Sequence, residues 1–173
     1  MKTLKLLTIS VLLSVLLTNC KNEPSADDLR LETADKQLNA NLKMYTSTWD
    51  EIINKRKIDL INDTNFDQNI TLVSNPKNII GIKEFKAYYQ NYLTGFSHVT
   101  FTITDVFGQG DKIVKHWNFK GQHTGDFFGI PATGREVNID GVTLVKMKNG
   151  KIAQEQDFMD NLEFMQQLGM IPK

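Results

Sequence analysis

The sequence is poor in cysteine and has no excess of charge of either sign, and both features exclude classes of protein. Cys20 is the only cysteine, so no intramolecular disulfide forms and stability must come from packing. The 20 basic residues equal the 20 acidic residues in number, and no basic run stands out. A nucleic-acid partner is therefore not expected, because such partners require a basic patch.

The patterns of metal and nucleotide sites are also missing. His98 and His116 have no acidic or cysteine partners at ligand spacing, so no metal site is predicted. Gly108-Gln109-Gly110 lacks the third glycine and the following helix of a phosphate-binding loop. The sequence therefore offers neither a zinc pattern nor a phosphate-binding loop.

The chain contains no apolar run of the roughly 20 residues that cross a bilayer. Its longest apolar stretch, Leu6–Leu17, follows Lys2 and Lys5 and ends shortly before Cys20. A charged start followed by a short apolar stretch is typical of a secretory signal peptide. The residues Leu17-Thr18-Asn19-Cys20 resemble the lipobox of bacterial lipoproteins, in which such a cysteine is acylated. An ordinary secretory signal with a coincidental cysteine is the alternative.

The lipobox resemblance implies three segments. Residues 1–20 would be a lipoprotein signal peptide, and residues 21–30 a flexible tether without apolar periodicity. Residues 31–173 would form one domain, which is long enough for a hydrophobic core. Lipid on Cys20 would anchor this domain at the bacterial cell envelope, outside the cytoplasm.

Helical patterns occupy the first half of the predicted domain. Apolar residues at alternating steps of four and three predict a long amphipathic helix, whose buried stripe is Leu38, Leu42, Tyr45, Trp49 and Ile52. A short second helix is predicted over Lys57–Ile61. A third is predicted over Ile82–Leu93, with Gly95 placed to terminate it.

Strand patterns dominate the second half, where the apolar period changes to two. The predicted strands are Ile70–Val73, His98–Phe107, Lys112–Gln122, Val137–Met147 and Lys151–Asp157. Asn149-Gly150 is the strongest local signal for a hairpin turn. Asp160 is the predicted N-cap of a C-terminal helix that buries Leu162, Met165 and Leu168. Helices followed by antiparallel strands predict the α+β class, with helices packed on one face of a curved sheet.

Two carboxylates on the last predicted strand indicate where chemistry could occur. Glu155 and Asp157 are two residues apart, so their side chains point to one face of the sheet. Burial in an apolar cavity raises the pKa of a carboxyl group and makes it a usable base toward a carbon acid. Asp157 is the candidate base, and a structural residue bonded to a loop amide or facing water is the alternative. Glu155 is expected to be solvated, and Asp140 to face outward.

Several short motifs in the second half occur in a characteristic order. They are Gly121-x-His123-x-Gly125, Gly129-Ile130-Pro131-x-Thr133-Gly134, Asn149-Gly150-Lys151-Ile152, Asp157, Asp160 and Gln167-Leu168-Gly169. With these motifs the chain resembles the SnoaL-like polyketide cyclase (ester cyclase) family. The resemblance implies the cone-shaped, nuclear transport factor 2-like (cystatin-like) barrel, with three N-terminal helices packed on a curved, mainly antiparallel sheet. That superfamily includes both enzymes and binding proteins.

The resemblance also implies roles for single residues. The catalytic aspartate of the cyclases matches Asp157, which would remove the proton between two carbonyl groups and leave an enolate for ring closure. This chemistry would need no metal or cofactor. A family histidine matches His123, which would either act on a substrate carbonyl or anchor the glycine-rich connection. The glutamine and histidine that the cyclases place opposite the aspartate are matched by Gly141 and Thr143, which cannot do the same work.

Core aromatic residues are expected to line the pocket of such a fold. The predicted substrate contacts are Trp49, Phe66, Tyr89, Trp117, Phe119 and Thr143. One hypothesis is an extracytoplasmic enzyme that cyclises or isomerises a small carbonyl compound. The other is a non-catalytic protein that binds a small apolar ligand. A role in protein interaction, with a homodimer formed through the outer sheet face, is the third hypothesis.

Overall fold

The computed structural model describes residues 23–172, so the predicted signal peptide and Cys20 lie outside the described residues. Residues 23–33 and the residues from Ala34 onward belong to two compact units. The second unit holds the sheet and the hydrophobic core. Within residues 23–172, no helix is both long and apolar enough to cross a membrane.

Helix α1 spans Ala26–Asn54 and begins within the segment predicted to be a tether. Ser25 caps it, because the Ser25 hydroxyl accepts a hydrogen bond from the backbone N–H of Asp28 (3.1 Å). The Asp28 carboxylate accepts in return from the backbone N–H of Ser25 (3.0 Å), so two free N–H groups at the helix start are satisfied. The predicted stripe is confirmed, with Leu38 and Leu42 half-buried and Tyr45, Trp49 and Ile52 buried.

Two further helical segments precede the long strands. A single 3-10 turn, Ile58–Leu60, replaces the helix predicted over Lys57–Ile61. Helix α2 spans Ile82–Gly95, close to its predicted range. Its Tyr89 packs against Trp49 of α1 with ring centroids 4.6 Å apart. The two long helices therefore meet through aromatic side chains.

Within the described residues six strands form one sheet, which confirms the predicted α+β class. They are β1 (Phe66–Leu72), β2 (Ile79–Ile80), β3 (Phe96–Gln109), β4 (Lys112–His123), β5 (Glu136–Lys148) and β6 (Lys151–Met159). The strand order is β2-β1-β6-β5-β4-β3. The pair β1 and β6 is parallel, and the other four neighbouring pairs are antiparallel. The sheet is therefore mainly antiparallel, as predicted, with the short β2 added.

The hairpin between β5 and β6 fixes which side chains face the helices. Asn149 (φ 52°) and Gly150 (φ 75°) form its turn, as their sequence predicts. Along β4 and β5, buried residues alternate with more exposed ones. One face of these strands therefore carries the core, and position in the alternation decides which residues can reach a site under the helices.

Helix α3 spans Asn161–Leu168 and starts at the predicted cap. The Asp160 carboxylate accepts a hydrogen bond from the backbone N–H of Glu163 (2.9 Å). At the other end, Gly169 takes the left-handed conformation (φ 81°) that ends many helices.

The predicted inward face of α3 is partly wrong. Leu162 is 62% exposed, whereas Phe164 and Leu168 are buried. Residues four positions apart lie on the same side of a helix, so the pair Phe164 and Leu168 defines the packed face. Leu162 lies on a different side, and Met165 is only half-buried at the edge of the packed face.

Candidate functional site

A cavity of about 430 Å³ lies between the helices and the inner face of the sheet. Helices α1, α2 and α3 contribute to its wall, as do strands β3 to β6, the end of β1 and the segment that follows it. Its volume is within the range that accommodates small organic ligands. It is therefore the candidate site in the described part of the chain.

Asp157 lies on β6 and lines this cavity. The Thr143 hydroxyl donates a hydrogen bond to its Oδ1 (2.5 Å), and the Tyr89 hydroxyl donates to its Oδ2 (3.0 Å). The indole N–H of Trp117 donates in turn to Thr143 (2.9 Å), which directs the threonine proton toward the carboxylate. An ionised carboxylate offers about four acceptor positions, so Asp157 keeps the capacity to take a proton from a ligand.

Three inward side chains form a row across neighbouring strands. Lys115 of β4 stands opposite Thr143 of β5, and Thr143 stands opposite Asp157 of β6. Adjacent strands are about 4.8 Å apart, so the row covers roughly 10 Å of the sheet. Lys115 and Asp157 both line the cavity. A ligand above this row would meet an ammonium group at one end and a carboxylate at the other.

The Lys115 side chain is buried although it can carry a charge, and the residue is 4% exposed. Its Nζ lies 4.8 Å from the ring centre of Trp49, 5.2 Å from that of Tyr45 and 5.3 Å from that of Phe101. Burial lowers the pKa of the ammonium, and two nearby carboxylates oppose this shift. The ring faces also favour the charged form, because they attract cations.

Glu155 is fully buried, so the expectation that it is solvated is wrong. Helix α1 covers it: its Oε1 accepts hydrogen bonds from the Tyr45 hydroxyl (2.7 Å) and from the indole N–H of Trp49 (2.9 Å). Loss of water around the carboxyl raises the pKa of Glu155 to about 7. The charge of Lys115 opposes this rise, and the charge of Asp157 adds to it.

Tyr89 connects the two carboxyl groups. Its hydroxyl oxygen lies 3.0 Å from Oδ2 of Asp157 and 3.2 Å from Oε2 of Glu155. A phenol has one proton to donate, and burial raises the pKa of Tyr89 well above its ordinary value, so that proton is retained. Both contacts are hydrogen bonds when Glu155 is protonated, since Glu155 then donates to Tyr89 and Tyr89 donates to Asp157. The buried acid thus belongs to the same network as the cavity carboxylate.

The structure divides the predicted contact residues into two groups. The aromatic residues that line the cavity are Trp49, Tyr89, Trp117 and Phe119. Phe66 lies behind the wall and packs edge-on against Trp49, with ring centroids 6.1 Å apart. Thr143 is fully buried and reaches the site only through Asp157. The aromatic lining is completed by five residues that were not predicted as contacts: Tyr88, Tyr92, Phe101, Phe158 and Phe164.

Gly141 lies inward on β5, directly opposite Trp117 on β4. A Cβ atom placed on Gly141 would lie 2.2 Å from Cζ2 of Trp117. The indole therefore occupies the space that a side chain at position 141 would need. The glutamine that the cyclases place at the matching position has no room here.

His123 is fully buried and lies outside the cavity lining. Its Nδ1 lies 3.0 Å from the Thr133 hydroxyl and accepts from the backbone N–H of Thr133 (3.3 Å). Its backbone N–H and C=O bond to Arg135 and Gly134. Within residues 23–172, Nε2 has no hydrogen-bond partner. This geometry favours the structural alternative, in which His123 anchors the connection between β4 and β5.

The sequence analysis gave no role at the site to two charged residues, Lys115 and Glu155. The alternation of β4 puts Lys115 on the same face of the strand as Trp117. That pattern is the signal that could have identified Lys115 as a residue of the site. Asp140 is exposed, as predicted. Residues 23–172 contain no group of three or more His, Cys, Asp or Glu side chains arranged to hold a metal ion.

Three helices on a curved, mixed six-stranded sheet define the nuclear transport factor 2-like class of α+β folds. Within that class, the family model of the SnoaL-like polyketide cyclases matches the chain over residues 43–168. The chain therefore belongs to the SnoaL-like polyketide cyclase family, as its motifs predicted.

Solved structures show the same fold. TsrD from Streptomyces laurentii superposes with a TM-score of 0.69 and 25% identity, covering 76% of this chain and 97% of TsrD. An NTF2-like protein of unknown function from Burkholderia pseudomallei superposes with a TM-score of 0.62 and 12% identity, covering 75% of this chain and 97% of that protein. The predicted architecture is confirmed by both likenesses.

Characterised relatives match only in part. The aklanonic acid methyl ester cyclase of Streptomyces peucetius is 39% identical over 49 residues, which are 28% of this chain and 34% of that enzyme. The enzyme of the same name from Streptomyces sp. strain C5 is also 39% identical over 49 residues, 30% of its length. The matched segment thus spans about a third of these curated relatives.

Proposed function

We propose that the protein binds a small carbonyl compound in this cavity and uses Asp157 as a base, without a cofactor. The observation that carries the proposal is a carboxylate at the wall of an aromatic cavity, held by two hydrogen bonds and facing an ammonium group along the same row. Membership of the cyclase family and the names of the ester cyclases that match in part support the same class of chemistry.

The proposed reaction begins with removal of a proton from carbon next to a carbonyl group. Asp157 accepts the proton, and the electron pair of the C–H bond moves to the carbonyl oxygen as an enolate. The enolate carbon then attacks a second carbonyl of the same molecule, which closes a ring, and protonated Asp157 returns its proton to the resulting alkoxide. In a substrate with a conjugated C=C bond, the dienolate instead takes the proton back at its far carbon, which moves the double bond and isomerises the substrate. The hydrogen bonds from Thr143 and Tyr89 keep the carboxylate oriented for this transfer.

A simple carbon acid tests the role of Asp157. The probe is ethyl 2-methylacetoacetate in deuterium oxide, with deuterium uptake at its acidic carbon followed by NMR. The protein is expected to accelerate uptake, and Asp157→Asn is expected to reduce the acceleration by about 100-fold or more, the usual contribution of a positioned base. Asp140→Asn, which changes an exposed aspartate, is the matched control. Uptake by Asp157→Asn at the wild-type rate would refute the proposal.

A non-catalytic binding protein of the same fold is the second candidate. It is favoured by Gly141 and Thr143, which stand where the cyclases place glutamine and histidine, and by the Trp117 indole that fills the space at Gly141. On this alternative, neutral ligands bind equally well to wild type and to Asp157→Asn, and neither protein accelerates deuterium uptake.

We further propose that the protein works at the bacterial cell envelope, anchored by lipid on Cys20. The proposal rests on the sequence of the signal-like segment, which lies outside the described residues.

The outer sheet face remains the proposed contact of a homodimer. Light scattering of the purified domain measures whether it is a monomer or a dimer.

A further inference from the structure

The ammonium group of Lys115 has unused hydrogen-bonding capacity inside the cavity. An ammonium group carries three donors. Among the described residues, its close neighbours are ring faces, and no hydrogen bond or ion pair engages these donors. A cation on a residue that is 4% exposed normally has a contacting partner for its charge, because desolvating it is costly, and the charges of Glu155 and Asp157 act on Lys115 without such a contact. Lys115 lines the cavity, so a ligand can supply that partner.

We propose that Lys115 binds the anionic oxygen of the ligand, so that the site is specific for flat, conjugated oxyanions such as enolates and phenolates. The shape of the site supports this ligand class. Aromatic rings on α1, α2, β3 and β4 form the walls and favour a planar, conjugated body. Lys115 is the cation lining that wall in residues 23–172, which gives the charged oxygen one place to bind.

For the enolate, this inference rests on the proposed function. Before the transfer, the negative charge is on Asp157, and the substrate is neutral. After it, Asp157 is a neutral acid, and the charge is on the substrate oxygen next to Lys115. The net charge of the cavity is unchanged, and a fixed cation stabilises the charge where it develops. Lys115 would thus take the stabilising role that Gly141 and Thr143 cannot perform.

The other ionisable groups around Lys115 are compatible with this role. The groups facing the cavity or buried beside it are Tyr45, Tyr88, Tyr89, Tyr92, Glu155 and Asp157. Burial raises the pKa of all four tyrosines, so they remain neutral donors. Asp157 is the group that competes directly with a bound anion, since both are negative and both lie in the cavity. Replacing it by a neutral residue is therefore expected to strengthen anion binding.

The test uses 4-nitrophenol, an aromatic enol whose neutral and ionised forms absorb differently. Wild type and Asp157→Asn are titrated with it between pH 6 and pH 9, and Asp157→Asn is expected to bind the anion more tightly. Lys115→Met in either background is expected to weaken phenolate binding by about 10- to 100-fold, the usual effect of losing a charged hydrogen bond. Lys120→Met, an exposed lysine on the same strand, is the control.

The uncharged analogue 4-nitroanisole separates charge recognition from cavity shape. Its affinity is expected to stay the same within about threefold in Lys115→Met, which also shows that the variant is folded. Lys115→Gln is the second variant if the methionine protein is unstable. Equal phenolate affinity with and without the lysine charge would overturn the assignment, as would absence of phenolate binding to Asp157→Asn. These readouts do not depend on deuterium uptake, so this inference and the role of Asp157 can fail separately.

Discussion

Glu155 shows how a single acidic residue can be placed in an aromatic core. Its Oε1 accepts hydrogen bonds from both Tyr45 and Trp49, and its Oε2 lies against the Tyr89 hydroxyl. These donors replace the water that burial removes, which limits the cost of placing an acid there. The same burial favours the protonated form. Stability should therefore depend on the ionisation of this residue.

The first prediction concerns that dependence. The pKa of Glu155 rises from 4.5 to about 7 in the folded protein. A raised folded-state pKa gives stability that is complete below pH 4.5 and is lost as pH rises through 7, up to roughly 3 kcal/mol. Glu155→Gln imitates the protonated acid. We expect the variant and wild type to have similar free energies of unfolding at pH 5 and the variant to be more stable at pH 8.

Denaturant titrations at both pH values measure these free energies. Glu136→Gln, on an exposed position of β5, is the control and should follow wild type at both. Identical pH dependence of wild type and Glu155→Gln would show that Glu155 does not titrate in this range.

At the level of elements, helix α3 closes one side of the cavity with Asn161 and Phe164. Its start depends on the Asp160 cap. The second prediction is that Asp160→Ala lowers the free energy of unfolding by about 1 kcal/mol, since alanine cannot accept the N–H bond. Ligand affinity should fall as well, because the first turn of α3, which contributes Asn161 and Phe164 to the cavity wall, becomes less stable.

Asparagine is the matched substitution at this cap, because its side-chain oxygen also accepts. Asp160→Asn should stay within a few tenths of a kcal/mol of wild type. If alanine and asparagine have the same effect in denaturant titrations, the capping bond is not what holds α3.

Elements with one buried face were predictable from the sequence. The stripe of α1 and the alternation of β4 and β5 are set by burial on one side, and burial leaves a period in the sequence. The start of α1 was missed because its cap lies in a polar stretch with no apolar period. Leu162 was misplaced because a helix of 8 residues offers too few turns to separate neighbouring apolar faces.

Residues of the site were predictable only where they follow the apolar periodicity of their helix or strand. Alternation placed Asp157 and Trp117 inward, and it placed Lys115 there too. A lysine usually extends to water, so alternation gives no reason to assign it a role in a cavity. The burial of Glu155 depends on Tyr45 and Trp49, which lie 110 and 106 positions earlier in the chain. No local pattern contains such contacts.

For the whole molecule, the third prediction concerns attachment to the membrane. If Cys20 is acylated, cells grown with an alkyne-tagged fatty acid should label the wild-type protein, and the protein should fractionate with membranes. Cys20→Ser should remove the label and release the protein, because acyl chains supply the membrane affinity. An unlabelled wild type in the soluble extracytoplasmic fraction would instead support the ordinary secretory signal.

The contact between Gly141 and Trp117 has a consequence for how this sequence can change over evolutionary time. A side chain at position 141 would collide with the indole, whose nearest atom lies 2.2 Å from the added carbon. A smaller residue at position 117 must therefore come first, and it would remove the hydrogen bond that orients Thr143. The two positions are coupled, and the order of substitutions matters. A lineage that carries this tryptophan can place a glutamine at position 141 only after losing the hydrogen bond through which Trp117 orients Thr143 toward Asp157.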